Sequence, residues 1–177
     1  MLCPQKAISE VGKEIGVVER GRAGDLMFVH GVLNIGEVMA PPLVRAVKRE
    51  SDSTKINIID APPGTSCPVI EAIKMSDFCV LVTEPTPFGL NDLVLAVEVV
   101  RKLQIPLGVV INRDGLGDNK VDDFCNDENI RILMRIPFDR EIAVAYSRGV
   151  PLLQVRSDYG KKFRDMFKTI KGCVYEG

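Results

Sequence analysis

The 177-residue sequence predicts an α/β fold, a mostly parallel sheet flanked by helices. Three observations predict it. Apolar strand-like runs alternate four times with helix-like periodic segments from residue 56 onward. The strand runs are apolar at successive positions, as expected of strands covered on both faces. Polar residues stand at the carboxyl ends of those runs: Asp60, Thr83 with Glu84, Asn112, and the loop after Pro137. Ligands of open parallel sheets sit at those ends, so the four together outline a candidate site.

Each element follows from local pattern. "IGVVE" and "LMFVHGVL", separated by "RGRAGD", read as two short strands around a turn, within a Gly-rich N-terminal segment, 1–39. "PPLVRAVKRE" opens on prolines and places Leu43, Val44 and Val47 together, the pattern of a helix with proline near its start. "INIID" (56–60) reads as a strand and "CPVIEAIKMS" as a short helix. Phe78–Thr83 is a strand, and 89–104 is an amphipathic helix with Leu93, Val97 and Val100 on one side. "IPLGVVINRD" is a strand ending at Asn112, "NKVDDFCND" a helix, and "IRILMRIP" a strand ending at Pro137. "REIAVAYSRG" and "YGKKFRDMFKTIKG" complete the series as helices.

Bulk properties exclude several classes. A net charge of −1 and a pI near 5.9 leave no basic footprint for nucleic acid. No apolar run approaches a membrane span, and "MLCPQKAISE" lacks the charged and apolar regions of a signal peptide. The cysteines, Cys3, Cys67, Cys79, Cys125 and Cys173, are odd in number and show no CxxC spacing. That usage fits a reducing, cytoplasmic chain without a disulfide framework.

"NIIDAPPGTSCPV" carries the most chemistry. A strand ending in a carboxylate and a Pro/Gly turn can hold a hydrated Mg²⁺ through Asp60, although an aspartate there also serves as a turn cap. Thr65 and Ser66 read as caps for the helix that starts near Cys67. A phosphate site also needs a glycine loop feeding a helix N-terminus. No GxxxxGK[ST] occurs: "VGKE" (11–14) puts Glu14 at the hydroxyl position, and "GLGDNK" (115–120) does not complete GxGxxG. "DGLGD" reads as a solvated turn.

"IIDAPPGTSCPV", "VTEPTPFGLNDL", "VVINRDG" and "IPFDREIAVAYSRGVPL" together resemble the ParA/MinD/Mrp class of deviant P-loop ATPases, in its MinD-like subgroup with a ferredoxin-type insertion. The resemblance implies a P-loop NTPase-like sheet of SIMIBI type, incomplete at the N-terminus. On it, 1–39 is the end of a ferredoxin-like insertion plus connecting strands, and 40–177 is the C-terminal part of the ATPase domain. "MLCPQKAI" resembles the end of the inserted cluster domain, which implies Cys3 as a remnant cluster ligand and a P-loop upstream of Met1. A [4Fe-4S] cluster needs four ligands, so it is expected in the complete protein and not in this chain alone.

The same resemblance implies site roles. Asp60 reaches Mg²⁺ through water, and Gly64 turns its N–H toward the γ-phosphate of ATP, at a position where glycine permits close approach. Asn112, with Arg113 beside it, offers donor and acceptor to the adenine edge. Pro137 and Phe138 line the other side of the base, while Asp139 suits a helix N-cap better. Glu84 and Asp92 flank a loop that moves with nucleotide state, or act as solvated and capping acids. His30, in an apolar run beside Gly31, reads as structural. The implied cofactors are ATP/ADP and Mg²⁺; the implied partners are a second copy or a complementing N-terminal segment, and iron–sulfur proteins.

The leading reading is therefore the C-terminal portion of a MinD/Mrp-like ATPase linked to iron–sulfur cluster carriage or assembly, inactive in hydrolysis by itself. A non-hydrolytic binding or scaffold module is the alternative, favoured by the missing loop. A cobyrinic acid a,c-diamide synthase-like amidoligase comes last, since no cysteine has an obvious histidine partner.

Overall fold

The computed structural model describes residues 4, 7 and 11–175, in two compact units. One contains residues up to 62 together with 66–72; the other contains 63–65 and the chain from 73 on. Cys3 lies outside the described residues.

In the first unit, β1 (Gly16–Ala23) and β2 (Leu26–Leu33) form an antiparallel ribbon. Gly24, at φ +59, opens its turn, a conformation glycine enters without a Cβ penalty. A two-stranded ribbon is marginal alone, and here α1 (Ala40–Lys48) packs on it. Leu43 lies against Gly16 and Gly31, where a Cβ would come within 3.2 Å and 2.8 Å of the leucine side chain. Pro41 and Pro42 stand in the first turn of α1, where a missing N–H costs nothing. Arg45 pairs with Glu71 at 3.3 Å, and Lys48 donates to the Ala72 carbonyl at 2.8 Å, tying α1 to the following helix α2 (Cys67–Ile73).

The second unit is built on a parallel sheet in the order β3 (Cys79–Thr83), β4 (Leu107–Asp114), β5 (Ile132–Pro137). Helices α3 (Pro87–Lys102) and α4 (Lys120–Asp127) carry the chain between these strands. Leu93 and Val97 of α3 meet Val109 and Ile111 of β4, Val121 and Cys125 of α4, and Ile130 in one buried cluster. After β5 come α5 (Arg140–Ser147), a short α6 (Leu152–Val155) and α7 (Tyr159–Tyr175). Helix α7 packs along β5, and its first side chain, Tyr159, is fully buried.

The expected strand 56–60 does not form. Those residues pair with no strand and are exposed throughout, Ile58 at 92%. A ladder needs a neighbour, and in this unit β1 and β2 pair with each other. At its start Asn57 folds back on Asp52, accepting from the Asp52 N–H at 3.2 Å and donating to its carbonyl at 2.8 Å. Three of the four expected α/β strands are therefore present. Helix α3 begins at Pro87 rather than at 89, because the Thr86 side chain accepts from the Gly89 N–H at 3.0 Å and proline fits the first turn.

Candidate functional site

The carboxyl ends of β3, β4 and β5 lie side by side. Thr83 pairs in register with Ile111, Asn112 with Ile136, and Asp114 with Pro137. This brings Asn112, Arg113, Pro137 and Phe138 to one end of the sheet. The ladder slips between Asn112 and Asp114, so β4 carries a bulge there. Arg113 occupies it at φ +53, a left-handed conformation that costs a non-glycine residue about 1–2 kcal/mol. Bulges next to sites re-aim side chains. Beyond the slip the Phe138 N–H donates to the Asp114 carbonyl at 3.1 Å, locking the end of β5 to β4.

Asn112 is half-buried at this end, and its amide makes no hydrogen bond among the described residues. Phe138, two residues beyond the Ile136 that pairs with Asn112, is 51% exposed at the same end of the sheet, an aromatic side chain available to a planar ligand. Arg113 reaches back to Glu84, Nε to Oε1 at 3.3 Å, so the loops after β3 and β4 are joined electrostatically. Arg113 is exposed and Glu84 only part-buried, which keeps that pair weak.

A second joint was invisible in the sequence. Gly117, within the "DGLGD" read as a solvated turn, lies against the Pro85 backbone: a Cβ there would stand 1.4 Å from the Pro85 carbonyl oxygen. Gly89 is similar, with a Cβ 2.2 Å from the Glu84 carbonyl oxygen. The loops after β3 and β4 therefore touch through backbone. The paired glycines of "GLGD" were the available signal, but turn composition alone does not distinguish close approach from solvation.

Behind the site Arg135 of β5 bonds both Asp114, at 3.2 Å, and Asp122 of α4. The hydrogen bond to Asp122 is the main cause that raises the Arg135 pKa further above its already high value. The bridge fixes the start of α4 against β5. Asp139 caps α5, accepting from the Glu141 N–H at 2.8 Å as expected of an N-cap, and it also holds Arg156 at 2.7 Å.

Asp60 belongs to the other unit, where it is exposed in the irregular segment. Gly64 stands at φ +89 with no atom near a would-be Cβ, so its backbone is open to a ligand and its conformation demands glycine. An exposed carboxylate such as Asp60 fits a water-mediated Mg²⁺ contact. Two of the described thiols, Cys79 and Cys125, do not fit an iron–sulfur cluster. Cys79 and Cys125 are buried, and burial pushes both thiols up in pKa, toward the protonated form that binds iron poorly. Among the described residues no three His, Cys, Asp or Glu side chains are grouped to hold a metal ion. Nor is any described helix long and apolar enough to cross a membrane.

Comparison with known proteins adds to this geometry. No protein-family model matches the chain. An uncharacterized protein of Methanocaldococcus jannaschii is 33% identical over 144 residues, covering 80% of this chain and 50% of that protein. An iron-sulfur cluster carrier protein of Aquifex aeolicus is 30% identical over 156 residues, covering 76% and 43%. The chain thus spans about half the length of the curated relatives it matches. Among solved structures, the cell division ATPase MinD of Pyrococcus furiosus superposes with a TM-score of 0.56 at 23% identity, over 75% of this chain and 57% of that one.

Proposed function

We propose that this chain, which is MinD/ParA/Mrp-like in sequence and has the α/β fold of the MinD ATPase, contributes the base pocket and switch segment of an ATP-binding protein linked to iron–sulfur cluster carriage. The observation that carries this reading is the convergence of Asn112, Pro137 and Phe138 at the carboxyl ends of β4 and β5. A free amide and an exposed aromatic ring at one end of the sheet suit a purine: the amide would donate and accept at its edge, and the ring would cover its face. Asp60 and Gly64 would act on the phosphate side, through a hydrated Mg²⁺ and a backbone N–H. When bound, the ion would offset charge on the transferred phosphoryl group.

On this reading 1–39 closes a ferredoxin-like insertion and 40–177 belongs to the ATPase domain, with Cys3 the last of a set of cluster ligands. Relatives named iron-sulfur cluster carrier proteins support the link to carriage. The cluster would be cargo rather than a resident of the buried thiols Cys79 and Cys125.

The 177 residues contain no GxxxxGK[ST] loop. Phosphate contacts from such a loop supply much of the affinity and most of the electrostatic stabilisation of hydrolysis. The chain alone should therefore bind Mg·ATP weakly, with Kd well above about 1 μM, and release no phosphate. Titration calorimetry with Mg·ATP and Mg·GTP tests it. Adenine-selective binding that Asn112→Ala weakens about tenfold or more supports the reading, and equal binding of both nucleotides, or none in the presence of a loop-bearing segment, defeats it.

A further inference from the structure

We infer that the outer face of α5 is a docking surface for a partner protein that presents an apolar side chain between two carboxylates. None of the eight residues of α5 is buried. A helix this short is marginal alone and ordinarily rests on a packed apolar face. Here the Asp139 cap and the contact with α6 hold it. Its apolar side chains stay in water, Val144 at 41% and Tyr146 at 83%. An open groove runs along the helix, lined by the apolar Val144, Ala145 and Val150 and the charged Arg140, Glu141 and Arg148. Arg140, Val144 and Arg148 follow at four-residue steps, so they share one side of the helix, with the two arginine Cα atoms about 12 Å apart along its axis.

The arginines are the informative pair. Arg20, Arg45, Arg101, Arg113, Arg135 and Arg156 each pair with a carboxylate. Arg140 and Arg148 have no partner among the described residues. Arg140 is also poorly placed for stability. It directly follows the Asp139 cap, where the positive end of the helix dipole disfavours a cation. Arg148, at the other end, is favoured by the dipole. A cation held at a local cost, unpaired and beside an apolar lining, fits a part in binding.

The chemistry of the partner follows. Arginine takes a carboxylate bidentately, and arginines around an apolar anchor are strong elements of protein interfaces. The groove sets two arginines against one glutamate, and the whole chain carries −1. No broad positive field gathers anions here, so recognition rests on contact with the two guanidinium groups. A second copy does not fit. Packing α5 on its own image, parallel or antiparallel, sets arginine against arginine on both sides of Val144. A small inorganic anion would leave the apolar lining uncovered. An acidic–apolar–acidic segment satisfies both the arginines and the lining. This holds whatever the site at Asn112 binds.

The test selects binders of the full chain from a displayed library of random short peptides and measures their affinity by fluorescence anisotropy. Selected sequences should carry an apolar residue between two acidic ones. Arg140→Glu and Arg148→Glu should each weaken their binding about tenfold or more. Arg49→Glu and Arg164→Glu, at arginines that also lack partners but lie outside the groove, should not. Arg140→Glu removes the unfavourable cation from the first turn, so its urea midpoint should hold or rise while binding is lost. A merely structural part for Arg140 gives the reverse. No selected peptide, selection without acidic residues, or binding indifferent to Arg140 and Arg148 overturns the proposal. So does equal loss at Arg49 or Arg164. Vesicles of phosphatidylglycerol and phosphatidylcholine that bind through Arg140 and Arg148 would also overturn it, by marking a membrane surface instead. Asn112→Ala should leave peptide binding unchanged, so failure here and failure of the nucleotide reading are told apart.

Discussion

Arg113 holds a left-handed backbone where glycine would be relaxed, and its side chain gains only a solvated pairing with Glu84. Arg113→Gly should therefore leave stability unchanged or raise it by up to about 1 kcal/mol in urea unfolding. A loss of more than about 1 kcal/mol would show that the side chain, not the bulge, holds the loops. Gly64→Ala goes the other way: at φ +89 it should cost about 1–2 kcal/mol locally while lowering nucleotide affinity. The thiols give a pH test. Burial keeps Cys79 and Cys125 protonated in the fold at pH values where the unfolded chain ionises them. Their contribution is complete below the ordinary thiol pKa and is lost as pH rises through and above it. Replacing both by alanine should flatten the alkaline fall of the urea midpoint. Under native conditions a thiol reagent should label exposed Cys67 well before either, and the reverse order would contradict their burial.

At the scale of elements, the loops after β3 and β4 meet through glycine, and this contact is the most sensitive to a single methyl group. Gly117→Ala cannot keep its place against the Pro85 carbonyl and should cost about 1–3 kcal/mol. Thr86→Ala removes the α3 cap and should cost about 1 kcal/mol without moving the loops. If both lower the urea midpoint equally but only Gly117→Ala weakens Mg·ATP binding, the glycine contact positions the site. Most elements were legible because periodicity and caps are local: the hairpin, α1, α3 and the strand ending at Pro137 lie within a residue or two of where apolar pattern and turn residues put them, while the strand expected to end at Asn112 runs on through a bulge to Asp114. What was not legible is non-local. "INIID" has a strand's composition, yet pairing requires a neighbour that composition cannot supply. Gly117 has a turn's composition, yet its reason is a carbonyl on another loop. Asn112, Pro137 and Phe138 could be read as strand ends, and their adjacency came from the register between β4 and β5.

Over the whole molecule, protection from hydrogen exchange should be uneven in a defined way. Val109, Val110 and Ile111 of β4 are paired on both sides and buried, so their amides should be the slowest. Residues 56–60 should exchange near the rate of an unstructured peptide in the isolated chain. Slow exchange at 56–60 would mean that the segment has found a strand to pair with. The order β3-β4-β5 also repeats the order of the chain, and each ladder joins strands separated by one helix. This has a kinetic consequence. Loop-closure entropy grows slowly with length, so neither ladder is much favoured by chain statistics. Because β4 belongs to both, no parallel pairing exists until it is in place, and mutations in β4 should slow folding while those in β3 or β5 mainly speed unfolding. During synthesis β3 leaves the ribosome before the other two strands of its sheet and waits for β4 with both edges open, the interval in which it is most exposed to wrong pairing.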